Sequence, residues 1–183
     1  MKSLKLIPIL GLLILGLTVW ATAQDAEISL YNKIVPAVEK GEPQWKLRRK
    51  AIMPNQLIIQ WILDQDRTLV SVTRLTSQGD AQDRLAASVK EWAHIPEAKV
   101  TTHRLKDFDD EGYLLKTAGV KGAHILFRKG AFLTEVFAPA DDVAQKFARH
   151  VADILPPSNK SLDRAAGGVF RSLIHPSRPV GIE

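Results

Sequence analysis

Residues 24–155 carry the pattern of an α+β domain, an antiparallel sheet backed by two helices. Short apolar runs with strand-like alternation recur between Gln44 and Ala138. Two segments, around Leu85 and around Phe147, switch to helical spacing. Turn residues such as Pro54-Asn55 and Lys129-Gly130 separate the runs at hairpin distances.

Taken in order, Asp25 to Lys40 places Leu30, Tyr31, Ile34, Val35 and Val38 at helical spacing, with Gly41 as a stop. Pro36 falls inside it, so a short or kinked helix is expected. Gln44 to Ala51 alternates Trp45 and Leu47 with Lys46, Arg48 and Lys50, a strand pattern. Leu57 to Leu63 is a near-continuous apolar run, which predicts a strand covered on both faces. Asp64 to Arg67 turns the chain, and Thr68 to Leu75 returns as a strand. Ala81, Leu85, Val89 and Trp92 share one helical face, with Asp80 as the N-cap and Pro96 as a stop. Val100 to Phe108 and Tyr113 to Thr117 read as strands on either side of an acidic turn. Ala123 to Arg128 and Phe132 to Ala138 form a hairpin about Gly130. Pro139 then opens a helix with Asp141 and Asp142 in its first turn and Val143, Phe147, Val151 and Ile154 on its core face.

The two helical faces superimpose at one offset: Ala81 on Val143, Leu85 on Phe147, Val89 on Val151 and Trp92 on Ile154. Each helix follows a hairpin. A duplicated hairpin–helix unit in a two-layer domain explains this; so does the spacing common to any two amphipathic helices. The run Ala123 to Val136, followed by Val143 to Leu155, resembles the end of several secreted bacterial domains of uncharacterised role. Those are similar to small two-layer folds of the TATA-binding-protein-like or PsbP/Mog1-like kind. The likeness spans Leu57 to Leu155. It rests on strand, basic-glycine turn, strand and alanine-bearing helix. It implies an envelope accessory or ligand-binding module and brings no catalytic residues with it.

Residues 1–23 read as a secretory signal peptide. Lys2 and Lys5 are its positive start, Leu4 to Val19 its apolar stretch, and Ala21-Thr22-Ala23 its cleavage site. The alternative is an uncleaved membrane anchor. A chain cleaved near Ala23 is secreted or periplasmic, and the absence of cysteine favours the bacterial periplasm. The formal charge of +5 falls to about +3 without Lys2 and Lys5. That balance argues against nucleic acid as a partner and allows loose contact with anionic membrane surfaces. Residues 156–183 form a tail containing proline and arginine, expected to be largely flexible. Within it, Leu162, Ala165, Val169 and Leu173 are spaced as one amphipathic series.

Motifs for catalysis are missing. With no cysteine, thiol nucleophiles, zinc–thiolate sites and iron–sulfur clusters are excluded. No serine-hydrolase elbow, zinc-protease helix or phosphate-binding glycine loop occurs. Asp107, Asp109, Glu111 and Gly112 match the opening of a calcium loop, but its twelfth position falls on Ala118. His94, His103, His124, His150 and His175 form no pair at metal-ligand spacing. No cofactor, metal site or catalytic residue is assigned. Lys46, Arg48 and Lys50 alternate onto one strand face, with Arg49 opposite, and form a candidate anion or partner surface. Trp61 and Trp92, with Trp45, are candidates either for a pocket between sheet and helices or for the packed core. The expected function is an exported, non-enzymatic envelope module binding a protein partner or a small ligand. The alternatives are a small periplasmic hydrolase whose Asp, Glu and His residues meet only in the fold, and a membrane-anchored accessory subunit.

Overall fold

The described residues build one seven-stranded antiparallel sheet carrying three helices. A computed structural model describes residues 25–158 except 96, 97, 107 and 109. The expectations for the leader, for residues 159–183 of the tail, for the Pro96 stop and for the Asp107–Asp109 pair lie outside the described residues. Helix α1 spans 25–41. Strands β1 (Lys46–Met53), β2 (Gln56–Leu63) and β3 (Asp66–Arg74) lead into α2 (Gln78–Ala93). Then follow β4 (Val100–Leu105), β5 (Glu111–Thr117), β6 (Ala123–Lys129), β7 (Phe132–Ala138) and α3 (Asp141–Ile154). The strand order is β1-β2-β3-β7-β6-β5-β4, so β3 and β7 join two meanders at the centre.

Local chemistry accounts for the turns and caps. Asn55 and Asp64 sit at φ 63° and 53° in the two tight turns, a region these side chains tolerate better than most. Gly130 turns the β6–β7 hairpin at φ 57°. Helix α2 is capped by Ser77, whose Oγ accepts from the Asp80 backbone N–H at 3.0 Å. Asp80, expected as the cap, instead takes the third helical position of a capping box and accepts from the Thr76 hydroxyl. These hydrogen bonds hold its carboxyl below the usual range, the Thr76 bond contributing most. Helix α1 runs through Pro36 without a break. Pro36 and Asn32 are both exposed, so water can solvate the Asn32 carbonyl that loses its partner.

The strand alternation divides the core into two. On one face, Leu57, Ile59, Trp61, Val70, Val72, Ile125, Phe127 and Val136 pack under Ile34 and Val38 of α1 and Phe147, Ala148 and Val151 of α3. Trp45 and Trp61 both meet Phe147 edge-on, at 5.5 and 5.3 Å between ring centroids. A fully buried side chain of this size contributes roughly 1.5–3 kcal/mol. On the other face, Leu115, Leu126 and Leu133 pack under Leu85 of α2, with Val89 and Trp92 beside them.

The antiparallel sheet backed by helices is therefore as expected, but the layering is not. The two helices with matching faces lie on opposite sides of the sheet, giving three layers instead of two. The physical reason is the crossover. The pairings make β4 parallel to β3, and the connection between them carries α2 over the face that α1 and α3 leave open. Helix α2 covers only the β4–β7 half. Consequently β2 is not covered on both faces: Leu57, Ile59 and Trp61 are buried, while Ile58, Gln60 and Ile62 are only partly so. Strand β6 is enclosed by both layers, and Ala123 to Phe127 are all buried.

Two polar clamps close the fold. Asp110 accepts from Arg128 Nη1 at 3.1 Å, from the Gly130 N–H at 2.7 Å and from Ser158 Oγ at 2.7 Å. Glu27, at the start of α1, accepts from Arg74 Nε at 3.1 Å.

Candidate functional site

Where α2 ends, the covered half of the sheet gives way to the bare half, and an open cleft of about 340 Å³ lies there. Trp92 comes from the last turn of α2, Leu115 and Thr117 from β5, His124 from β6, and Phe137 from β7. The β5–β6 loop adds Val120, Lys121 and Gly122, and Arg67 reaches in from the start of β3. The loop depends on glycine. Gly119 has φ 76° and Gly122 φ 129°, and a Cβ on Gly122 would lie 2.9 Å from the Ala138 carbonyl oxygen. Only a residue without a side chain lets the chain pass so close to β7.

Cross-strand register assembles the wall. His124 pairs with Phe137 on one side and Leu115 on the other, so all three side chains share the α2 face. The His124 ring stacks on Phe137 at 3.8 Å and 13°. Trp92 meets His124 edge-on at 4.6 Å and lies 5.9 Å from Phe137. His124 is 6% exposed, and neither ring nitrogen has a hydrogen-bond partner. Glu135 Oε2 lies 3.5 Å from Nε2, within ion-pair reach, yet the approach lacks hydrogen-bond geometry. A buried polar group is normally satisfied, and leaving one unpaired costs about 1–3 kcal/mol. The mouth is cationic. Arg67 and Lys121 are exposed, and neither pairs with a carboxylate among the described residues.

A second recess, lined by Arg48, Ile62, Asp64, Gln65 and Arg67, shares Arg67 with the cleft. On the same sheet face, the Tyr113 hydroxyl donates to Glu111 Oε1 at 2.5 Å. That bond, together with partial burial, pushes the Tyr113 phenol up.

The five side chains singled out from the sequence do not form one surface. A register shift between Leu47 and Arg49 interrupts the alternation of β1. Lys50 turns toward α1 and lies over the Tyr31 ring at 4.3 Å. Lys46 donates to the Pro43 carbonyl at 3.0 Å. Arg48 joins the recess beside Arg67. The expected one-sided stripe with Arg49 opposite is thus corrected, because the extra residue resets the period of two. Trp61 is fully buried against Phe147 and belongs to the core, out of reach of any surface partner. Trp92 does line the cleft.

The sequence marks His124 only as one of five isolated histidines, and it gives Phe137, Arg67 and Lys121 no distinguishing signal. The alternation within β6 and β7 marks which face His124 and Phe137 share within each strand. Nothing local marks that the strands are neighbours in that register.

The arrangement can hold a flat apolar body against Trp92, Phe137 and Leu115 and attract negative charge at Arg67 and Lys121. It does not present a nucleophile hydrogen-bonded to the histidine. Among the described residues no cluster of three His, Asp or Glu side chains is placed to hold a metal ion. No family model matches this chain, and neither does any curated protein sequence or solved structure.

Proposed function

We propose that this protein is an exported, non-enzymatic envelope module that holds a small ligand in the cleft between the end of α2 and the sheet. The observation that carries the reading is His124: a buried ring whose nitrogens have no hydrogen-bond partner, with Glu135 within ion-pair reach of one of them, framed by Trp92 and Phe137, on the wall of an open cleft. Clefts that combine apolar walls with a few polar groups are the usual form of a small-molecule site. Export rests on the Met1–Ala23 leader pattern.

The hydrolase alternative draws on the His124–Glu135 approach, which supplies a base and an orienting carboxylate. It lacks the third group, a hydroxyl bonded to the histidine, so binding is the better account of the same residues.

Native mass spectrometry of the protein purified from its own envelope fraction tests the proposal. A chain starting at Gln24 with a discrete adduct, lost in Trp92→Ala, is the expected result. A mature chain that carries no adduct and is stabilised by no small molecule in a thermal-shift screen would overturn ligand binding. An unprocessed mass would replace export in soluble form with membrane anchoring.

A further inference from the structure

Resting on that ligand-binding reading, we infer that the ligand is an amphipathic anion: a flat ring body carrying one carboxylate, sulfonate or phosphate. Three features of the cleft specify the three parts of such a molecule.

The body follows from the rings. Trp92, His124 and Phe137 converge within 6 Å of one another, and Leu115, Val120, Ala123 and Pro139 complete an apolar lining. Aromatic walls favour ring partners in offset or edge-on contact. The volume of about 340 Å³ suits a small ring system better than a long chain, since it stands at the low end of ligand pockets.

The polar handle follows from His124. His124 lines the cleft, and its buried nitrogens have no hydrogen-bond partner, so a ligand atom that reached one would gain a bond that a pure hydrocarbon cannot make.

The charge follows from the mouth. Arg67 enters from β3 and Lys121 from the β5–β6 loop, two cations from separate elements at one opening. Glu135 lies against His124 but does not line the cleft, so no carboxylate of the lining opposes them. Cations beside a low-dielectric wall act on a ligand charge more strongly than in open water. The neighbouring recess extends the positive rim through Arg48, partly offset by Asp64.

A matched pair of fluorescent probes separates the parts. 1-Anilinonaphthalene-8-sulfonate carries the anion; N-phenyl-1-naphthylamine is the same ring body without it. Both are titrated into the purified full-length mature protein. The sulfonate is expected to bind one per chain, ~10-fold more tightly than the neutral probe at low salt. The Arg67→Ala, Lys121→Ala double variant is expected to bring the sulfonate down to the affinity of the neutral probe without changing the latter. Raising the salt toward 1 M, where screening reaches within about 3 Å, is expected to do the same. Trp92→Ala is expected to weaken both probes.

Equal binding of the two probes, both lost in Trp92→Ala, would overturn the anion while leaving the cleft as a ligand site. A sulfonate preference that survives the double variant would also overturn it, because the charge would then be read elsewhere. If neither probe saturates, or if Trp92→Ala and Phe137→Ala leave both unaffected, the ligand-binding reading falls with it.

Discussion

Replacing His124 by phenylalanine is expected to stabilise the unliganded protein while impairing its cleft. His124 is 6% exposed, and both ring nitrogens lack hydrogen-bond partners. A buried group left unsatisfied costs about 1–3 kcal/mol. Phenylalanine removes that cost and keeps the geometry, since the ring still stacks on Phe137 and meets the edge of Trp92. Its larger ring can overpack, and overpacking in a closed core costs roughly 1–3 kcal/mol. Here one side of the site is the open cleft, which takes up the added volume. The net expectation is a gain of about 1–2 kcal/mol, or roughly 3–8 °C in Tm for a domain of this size. Urea unfolding of the two proteins under identical conditions measures the gain, and a titration with the anilinonaphthalene sulfonate measures the loss of binding. An unchanged or lower stability would refute the reasoning, because it would mean that the Glu135 carboxylate 3.5 Å from Nε2, or solvent, already satisfies the histidine, leaving no unpaired group for a ligand to complete.

Three further outcomes are expected. Phe147→Ala removes the ring on which Trp45 and Trp61 both pack, and is expected to cost about 3–5 kcal/mol by urea denaturation. Gly122→Ala forces a side chain onto a φ of 129° and against the Ala138 carbonyl. A loss of roughly 1–3 kcal/mol is expected, with weaker probe binding, both read from one set of titrations and melts. Tyr113 has its phenol raised by the hydrogen bond to Glu111. The stabilisation this reflects is fully present below the unfolded-state value near pH 10 and disappears as pH rises through the higher folded-state value. Stability measured from pH 9 upward should therefore fall less steeply in Tyr113→Phe than in the parent.

Strand and helix positions were legible because the forces that set them are local. The apolar run around Ile59, the 4, 4, 3 spacing around Leu85 and Phe147, and the glycine at Gly130 each express a strand, a helical period or a turn requirement within a few residues. Even locally, small displacements escaped. The cap moved from Asp80 to Ser77, since the two residues satisfy each other in a capping box and composition alone does not say which leads. The bulge at Leu47–Arg49 scattered the expected row of Lys46, Arg48 and Lys50, because a single inserted residue leaves the run of amino acids looking regular while inverting the faces beyond it.

The layering and the cleft belong to long-range pairing. An amphipathic stripe tells a helix to bury one side; it does not name the sheet face that receives it, and the β3–β4 crossover settled that for α2. The pairing of β3 with β7 and of β7 with β6 then set Leu69 beside Phe137 and Phe137 beside His124, and the end of α2 brought Trp92 over them. These contacts join residues up to 68 positions apart in the case of Leu69 and Phe137, a register that no segment of the chain encodes alone. The sequence carries the parts, because strands and helices are each written in contiguous residues. The site exists only once the sheet has closed, because its aromatic wall and its cations come from five separate places in the chain.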